Sequence, residues 1–211
     1  MTSTNTVSST WDRPFAPPEK IPDVADVVII GGGIVGVSTA WFLAKQGVRV
    51  VLCEKGHIAG EQSGRNWGWV RIQGRDTREI PMMQEALRIW DGFEEETGED
   101  VGFVRRGCMF AARTHKDMKS YEEWVGVAGD YGIGSRLIDR NELGKHVRNS
   151  RIDWAGAVYT ESDGRAEPHK AAPAFARAAE GAGASVLTSC AVRGVETSGG
   201  RVSAVVTEHG V

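Results

Sequence analysis

The residues with the clearest capacity for chemistry stand early in the chain, in the run Gly31-Gly32-Gly33-Ile34-Val35-Gly36, with Glu54 eighteen residues beyond Gly36. Three glycines at GxGxxG spacing do three different jobs if a strand precedes them and a helix follows. Gly31 permits the tight turn. Gly33, without a side chain, lets the backbone approach a pyrophosphate. Gly36 lets the helix pack closely on the strand. The opening turn of the helix then offers unpaired N–H groups and a partial positive charge to the phosphates. Glu54 can accept hydrogen bonds from both hydroxyls of an adenosine ribose. Its charge repels a 2′-phosphate, so the spacing disfavours NADP while leaving NAD and FAD open.

The flanking sequence supplies the elements this reading needs. Asp26–Ile30 is a short continuous apolar run, which predicts a strand buried on both faces of a parallel sheet. Val37, Ala40, Trp41 and Ala44 recur at helical spacing, and Gly47 stands where a C-terminal glycine cap belongs. A second strand is predicted over 48–54. Gly56–Arg75 is rich in Gly, Arg and Trp, has no clean period, and reads as a functional loop. Met83, Leu87, Trp90 and Phe93 mark an amphipathic helix over 77–97. The texture changes near Val101. A strand is predicted over 104–113, a helix over 116–131, a short helix opened by an Asp139/Glu142 capping box, and a strand at 157–159. The β/α alternation then resumes with an alanine-rich helix over 167–182 and short strands over 185–188, 191–197 and 201–208.

Bulk properties narrow the function classes. The 211 residues are 41% hydrophobic and 25% charged, enough for a sizeable core. A net charge of −3 argues against a nucleic-acid binder. No apolar run reaches bilayer-spanning length, and Met1–Pro22 lacks the pattern of a secretory signal. Cys53, Cys108 and Cys190 show no CxxC spacing and read as buried free thiols in a cytoplasmic, reducing setting. His57, His115, His146, His169 and His209 are scattered, and no metal is assigned.

Taken together, the segments resemble the D-amino-acid oxidase family, which includes glycine oxidase and the sarcosine oxidases. Four places carry the likeness: the Val28–Glu54 fingerprint, Ser63-Gly64-Arg65-Asn66-Trp67-Gly68-Trp69-Val70-Arg71, Asp163-Gly164-Arg165-Ala166-Glu167-Pro168, and Ser189-Cys190-Ala191-Val192. The resemblance implies FAD as cofactor and oxidation of a C–N bond in an amino acid or secondary amine by hydride transfer to flavin N5. It places Gly31, Gly33 and Gly36 at the pyrophosphate, with Ile34 and Val35 beside them, and Glu54 at the ribose, with Lys55 next to it. Ser63, Arg65, Asn66 and Gly68 line the path from phosphate to flavin, and the Val192 main chain touches adenine. Arg71 is the candidate catalytic-site side chain, since a guanidinium can grip a substrate carboxylate with two parallel bonds. Trp67 and Trp69 fit either a flavin-site wall or aromatic packing, and Arg105 and Arg106 either a substrate contact or a solvated pair.

The expected fold is α/β: a Rossmann-like FAD-binding domain with a βαβ unit, plus a smaller α+β substrate-domain insertion. The expected division is a flexible arm over 1–23, FAD-binding segments over 24–100 and 165–211, and the insertion over 101–164. Members of the family are about twice this length, so the chain reads as the N-terminal half, incomplete at its C-terminus, with a second chain as the candidate source of the rest. An NAD-dependent dehydrogenase and a non-catalytic FAD-binding subunit are the alternative readings.

Overall fold

The structure, a computed structural model, describes Phe15 and residues 20–211. Most of the arm expected over 1–23 therefore lies outside the described residues. The chain divides into two compact units. The first comprises the described residues up to Trp67, Phe93–Gly102 and Glu167–Val211; the second comprises Gly68–Gly92 and Phe103–Ala166. The segment 68–92, grouped by sequence with the first FAD-binding stretch, thus falls with the insertion.

In the first unit, strand β1 (Val27–Ile30) leads through the glycine turn into helix α1 (Ile34–Ala44) and on to β2 (Val50–Cys53), which pairs parallel with β1. Gly47 ends the helix at φ +78, donating to the Ala44 carbonyl. A third parallel strand, Ser185–Leu187, pairs with the other edge of β2. β2 is accordingly buried throughout, Val50 through Cys53. Among the described residues β1 has one strand beside it; Val27, Val28 and Ile29 are partly buried and Ile30 is 62% exposed. The prediction that β1 is buried on both faces is therefore corrected. An apolar run records suitability for a sheet interior, not whether another element covers each face.

In the second unit, β3 (Trp69–Val70) follows the loop, and helix α2 (Ile80–Thr97) begins here before its last turn passes into the first unit. The strand predicted over 104–113 is two strands, β4 (Val104–Arg105) and β5 (Cys108–Ala112). Gly107 separates them at φ +79, where a side chain would run into the Tyr159 ring. Helix α3 (His115–Asp130) opens with a reciprocal capping box between Thr114 and Asp117. Strand β6 (Ser135–Asp139) leads into helix α4 (Arg140–His146). Asp139 caps α4 as expected, but the second half of the predicted box is absent, because the Glu142 carboxylate pairs with Arg136. Strand β7 (Gly156–Thr160) lies between β5 and β6, antiparallel to both. Strand β8 (Gly164–Arg165) lies between β3 and β4, again antiparallel to both. Val70, Ile72, Ile80, Leu87, Ala128, Ile133 and Ala166 form a core here.

The chain then returns to the first unit with helix α5 (Pro168–Gly181), strand β9 (Ser185–Leu187) and the hairpin β10 (Val192–Ser198)–β11 (Arg201–Thr207). Trp41 of α1 and Phe175 of α5 meet Phe93 of α2, with ring centroids 4.1–5.4 Å apart. Such aromatic pairs add to the stabilisation from buried area. Among the described residues, no helix is long and apolar enough to cross a membrane.

Candidate functional site

The glycine turn is held by three segments of the first unit. Gly31 adopts φ +108, a conformation open to glycine, and its N–H donates to the Cys53 carbonyl at 2.9 Å. Gly36 packs against the turn so closely that a Cβ would collide with the Gly31 carbonyl oxygen. This is the tight helix–strand approach the spacing predicts. The segment after β2 folds back over the turn: the Ala59 N–H donates to the Gly32 carbonyl at 3.0 Å. Ser63, in a single 3₁₀ turn (Gln62–Gly64), then accepts the Ile34 N–H on its hydroxyl at 2.9 Å. Val35 and Gly36 also belong to the first turn of α1, whose N–H groups have no intrahelical acceptor.

Glu54 is pinned at both oxygens. Oε2 accepts the Gly32 N–H and Oε1 the Gly56 N–H, each at 2.7 Å. A carboxylate has about four lone-pair sites, so about two stay open to further donors. Gly32, to which the spacing argument gave no role, is thus a working part of the site. A Cβ there would stand 2.5 Å from Ile58 Cδ1 and 3.0 Å from the Glu54 side chain. Val192 is brought to the same end of the sheet. The Cys190 N–H donates to the Glu54 carbonyl at 2.8 Å, Ser189 N–H to that of Gly56 at 2.9 Å, and Val192 packs on Val51, Cys53, Leu187 and Cys190. The Cys53 thiol is pushed up to about 12, first by burial and then by its neighbour Cys190. All three cysteines are unpaired and buried.

The cationic candidates are arranged differently. Lys55 and Arg65 converge on Glu61, at 3.6 and 2.8 Å. Both pairs are exposed, and such pairs contribute about 0–1 kcal/mol, so an anionic ligand can compete for either cation. Asn66 donates to the Ser63 carbonyl at 2.7 Å, closing the loop on itself.

Gly68 and Arg71 lie in the second unit. Gly68 turns at φ +72, and its carbonyl accepts the Ala166 N–H at 2.8 Å. Arg71 follows β3 directly. Its guanidinium donates to the Gln73 carbonyl and lies 5.1 Å from the Phe110 ring centroid and 5.5 Å from that of Trp69. Beneath it, the fully buried Asp163 accepts the N–H groups of Ile72 and Gln73 at 2.8 and 3.0 Å. Burial pushes the Asp163 carboxyl above its ordinary value, opposed by those two N–H groups and by the charges of Arg71 and Arg105. Arg105 grips both oxygens of Asp91, so Arg105–Arg106 is not simply a solvated pair. Trp67 is 80% exposed and Trp69 47% exposed.

A cavity of about 620 Å³ in the first unit is lined by Trp41, Lys45, Glu96, Glu99 and Arg177. It lies at the C-terminal end of α1, opposite the glycine turn, and is not the dinucleotide site. Among the described residues, no group of His, Cys, Asp and Glu side chains could hold a metal ion.

A parallel βαβ unit with a glycine turn at the helix start and an acid closing the second strand defines a dinucleotide-binding protein of the α/β class. Residues 26–211 match the FAD dependent oxidoreductase family, and the chain belongs to it. It is 29% identical over 209 residues to the sarcosine oxidase subunit beta of Rhodobacter capsulatus, covering 96% of this chain and 50% of that protein. It is 31% identical over 210 residues to the mitochondrial sarcosine dehydrogenase of Mus musculus, covering 93% of this chain and 22% of that one. Among solved structures, the L-amino acid deaminase of Proteus myxofaciens in complex with anthranilate superposes with a TM-score of 0.87 at 34% identity, covering 94% of this chain and 46% of that one. The chain thus spans half or less of the length of these relatives. The family match sets aside the NAD-dependent reading.

Proposed function

We propose that this chain is the dinucleotide-binding portion of an FAD-dependent enzyme that oxidises a C–N bond of an amino acid or secondary amine. The single observation that carries the reading is the Glu54 clamp: an acid fixed on the Gly32 and Gly56 N–H groups beside a turn in which Gly31 takes φ +108 and a Cβ on Gly32 or Gly36 would clash. These residues fit FAD. The N–H groups of Val35 and Gly36 in the first turn of α1, with Gly31, Gly33 and Ile34 around them, would hold the pyrophosphate. The open lone pairs of Glu54 would take the ribose hydroxyls, with Lys55 beside it, and the Val192 main chain would meet adenine. Ser63, Arg65, Asn66 and Gly68 would line the path toward the flavin. FAD, when bound, supplies a hydride acceptor at N5. Arg71 would hold the substrate carboxylate, its plane set by Phe110 and Trp69 and one arm by the Gln73 carbonyl. The first unit would be the FAD-binding domain and the second the substrate domain. The three unpaired thiols suit a reducing, cytoplasmic setting.

A second reading rests on β1, whose outer edge has no partner strand among the described residues. The relative from Rhodobacter capsulatus is named as a subunit, and on this reading the chain would likewise work with a partner polypeptide.

An absorption spectrum of the purified chain is the direct test. Flavin bands released on denaturation are expected, and Gly33→Val is expected to abolish them, since a side chain there meets the Ser63 hydroxyl that caps Ile34. Unchanged flavin content in that variant would refute the assigned turn. Anthranilate, which the Proteus myxofaciens enzyme holds, serves as the carboxylate probe for Arg71.

A further inference from the structure

A continuous row of buried polar groups runs through the second unit to the backbone that carries Arg71. Asp163, Gln73 and Thr160 have no exposure, and Ser135 is 9% exposed. The Thr160 hydroxyl donates to Gln73 Oε1 at 2.8 Å, and Ser135 Oγ lies 2.6 Å from Thr160 Oγ1. Since the one Thr160 proton goes to Gln73, Ser135 must donate to Thr160. Trp124 Nε1–H in turn donates to Ser135 at 3.1 Å. The donors therefore all point one way, from Trp124 through Ser135 and Thr160 to Gln73. Each hydroxyl both donates and accepts, which rigidifies such a row. Gln73 is held at four points: its side-chain oxygen by Thr160, its side-chain nitrogen by Cys108 Sγ at 4.0 Å, its N–H by Asp163, and its carbonyl by the Arg71 guanidinium.

The topology makes this arrangement possible. β3 and β8 pair antiparallel, Val70 opposite Gly164, so Arg71 leaves one strand where Asp163 enters the other. The Asp163 carboxylate then caps the two peptide N–H groups immediately after Arg71. A buried carboxylate is a poor source of stability, and well-packed apolar residues often serve as well or better. What this one supplies is a fixed path for residues 71–73, and with it a fixed acceptor for one arm of the Arg71 fork. The remaining donors of the fork and its orientation over Phe110 follow from that anchor.

We propose that Asp163 is a positioning residue for substrate recognition: through Ile72 and Gln73 it sets the Arg71 guanidinium to receive a carboxylate. The inference rests on the reading of Arg71 given above. It assigns Asp163 a part in carboxylate selectivity that the Asp163-Gly164 pair, taken as a sequence feature, does not announce.

The test is calorimetric titration of the FAD-loaded full chain with anthranilate and with its uncharged counterpart anthranilamide. The variants are Arg71→Ala, Asp163→Asn and the double substitution, each with flavin content and melting temperature recorded. Asp163→Asn is expected to weaken anthranilate by about tenfold while leaving anthranilamide and flavin content unchanged, the size expected for coupled neighbours. In the Arg71→Ala background, Asp163→Asn is expected to add nothing. Thr160→Val, which removes the hydrogen bond to Gln73 Oε1 and leaves Asp163 in place, is expected to give a smaller loss of the same kind, and it carries the test should Asp163→Asn fail to fold. Equal weakening of both ligands by whichever variant folds marks a merely structural role and overturns the proposal. So does a further loss on top of Arg71→Ala. A wild-type chain with no preference for anthranilate, or an Arg71→Ala variant with unchanged preference, overturns the Arg71 reading itself. Loss with Arg71→Ala but not with Asp163→Asn or Thr160→Val overturns only the positioning role.

Discussion

Replacing Glu54 by glutamine separates the two tasks the structure gives that side chain. The carboxylate accepts the N–H groups of Gly32 and Gly56, both at 2.7 Å, and keeps about two further lone pairs. A glutamine has one oxygen. Gly32 is buried and Gly56 exposed, so the amide should turn its oxygen to Gly32 and leave Gly56 to water. The change exchanges one charge-assisted bond for a neutral one and cedes the other to solvent, costing about 1–2 kcal/mol of stability. Alanine loses both bonds and strands the buried Gly32 N–H, costing about 3 kcal/mol or more. FAD affinity follows a different rule. The amide nitrogen cannot accept from a ribose hydroxyl, so Glu54→Gln should weaken FAD by about tenfold, the equivalent of about 1.4 kcal/mol. Urea unfolding of the flavin-free variants measures the first effect, and FAD titration followed by tryptophan fluorescence the second. FAD bound by Glu54→Gln within twofold of wild type would remove Glu54 from the ribose. Glu54→Ala as stable as Glu54→Gln would dismantle the clamp.

Gly36→Ala should lower stability by about 1–3 kcal/mol and reduce flavin retention, because the new methyl meets main chain at Gly31 and no rotamer can relieve it. Gly126→Ala, in open space on α3, should instead stabilise by about 0.5–1 kcal/mol, and the contrast is read by thermal melts. Glu99→Ala should cost about 3–5 kcal/mol, since Arg177 is buried and Glu99 holds its Nε at 2.6 Å; a urea midpoint near that of wild type would discount the pair. Alkaline stability should decline with pH. The folded chain keeps the Cys53 proton to about 12 and that of Cys108 to about 11, whereas unfolded thiols release theirs near 9.0. The folded state therefore binds more protons above pH 9.0, and stability falls as pH rises through that window. A urea midpoint that stays flat from below that value to well above it would count against the buried, protonated thiols.

The elements most legible in the sequence are those whose information is local. The apolar run at 27–30, the helical spacing of Val37, Ala40, Trp41 and Ala44, and the cap at Gly47 lie within a few residues of what they specify. Where the outcome depends on a distant neighbour, the reading departs. Sequence suggests one strand over 104–113, yet the Tyr159 ring beside Gly107 divides it. Glu142 has the type and spacing for a capping box, yet Arg136 offers it a charge and takes it. The segment 68–92 continues the FAD-binding stretch in sequence but packs with the insertion, because β3 finds its partner at Gly164–Arg165.

The candidate site divides along the same line, and the division has a physical cause. Glycines are readable because they mark where a side chain is disfavoured, by backbone conformation or by crowding, and the residue type itself records that. Gly31 needs its positive φ, and Gly36 faces main chain. A polar side chain is different: Ser63 and Asp163 could each serve many partners, and only the fold selects one. Ser63 finds the Ile34 N–H twenty-nine residues away, and Asp163 finds the Ile72 N–H ninety-one residues away. Lys55 and Arg65 show the converse, since both have the charge to meet a phosphate and both are drawn to Glu61. The voids of this site are therefore sequence-local and its contacts are not. A substitution that fills a void should act through the turn itself, whereas one that removes a polar contact should act through the segment that the contact holds.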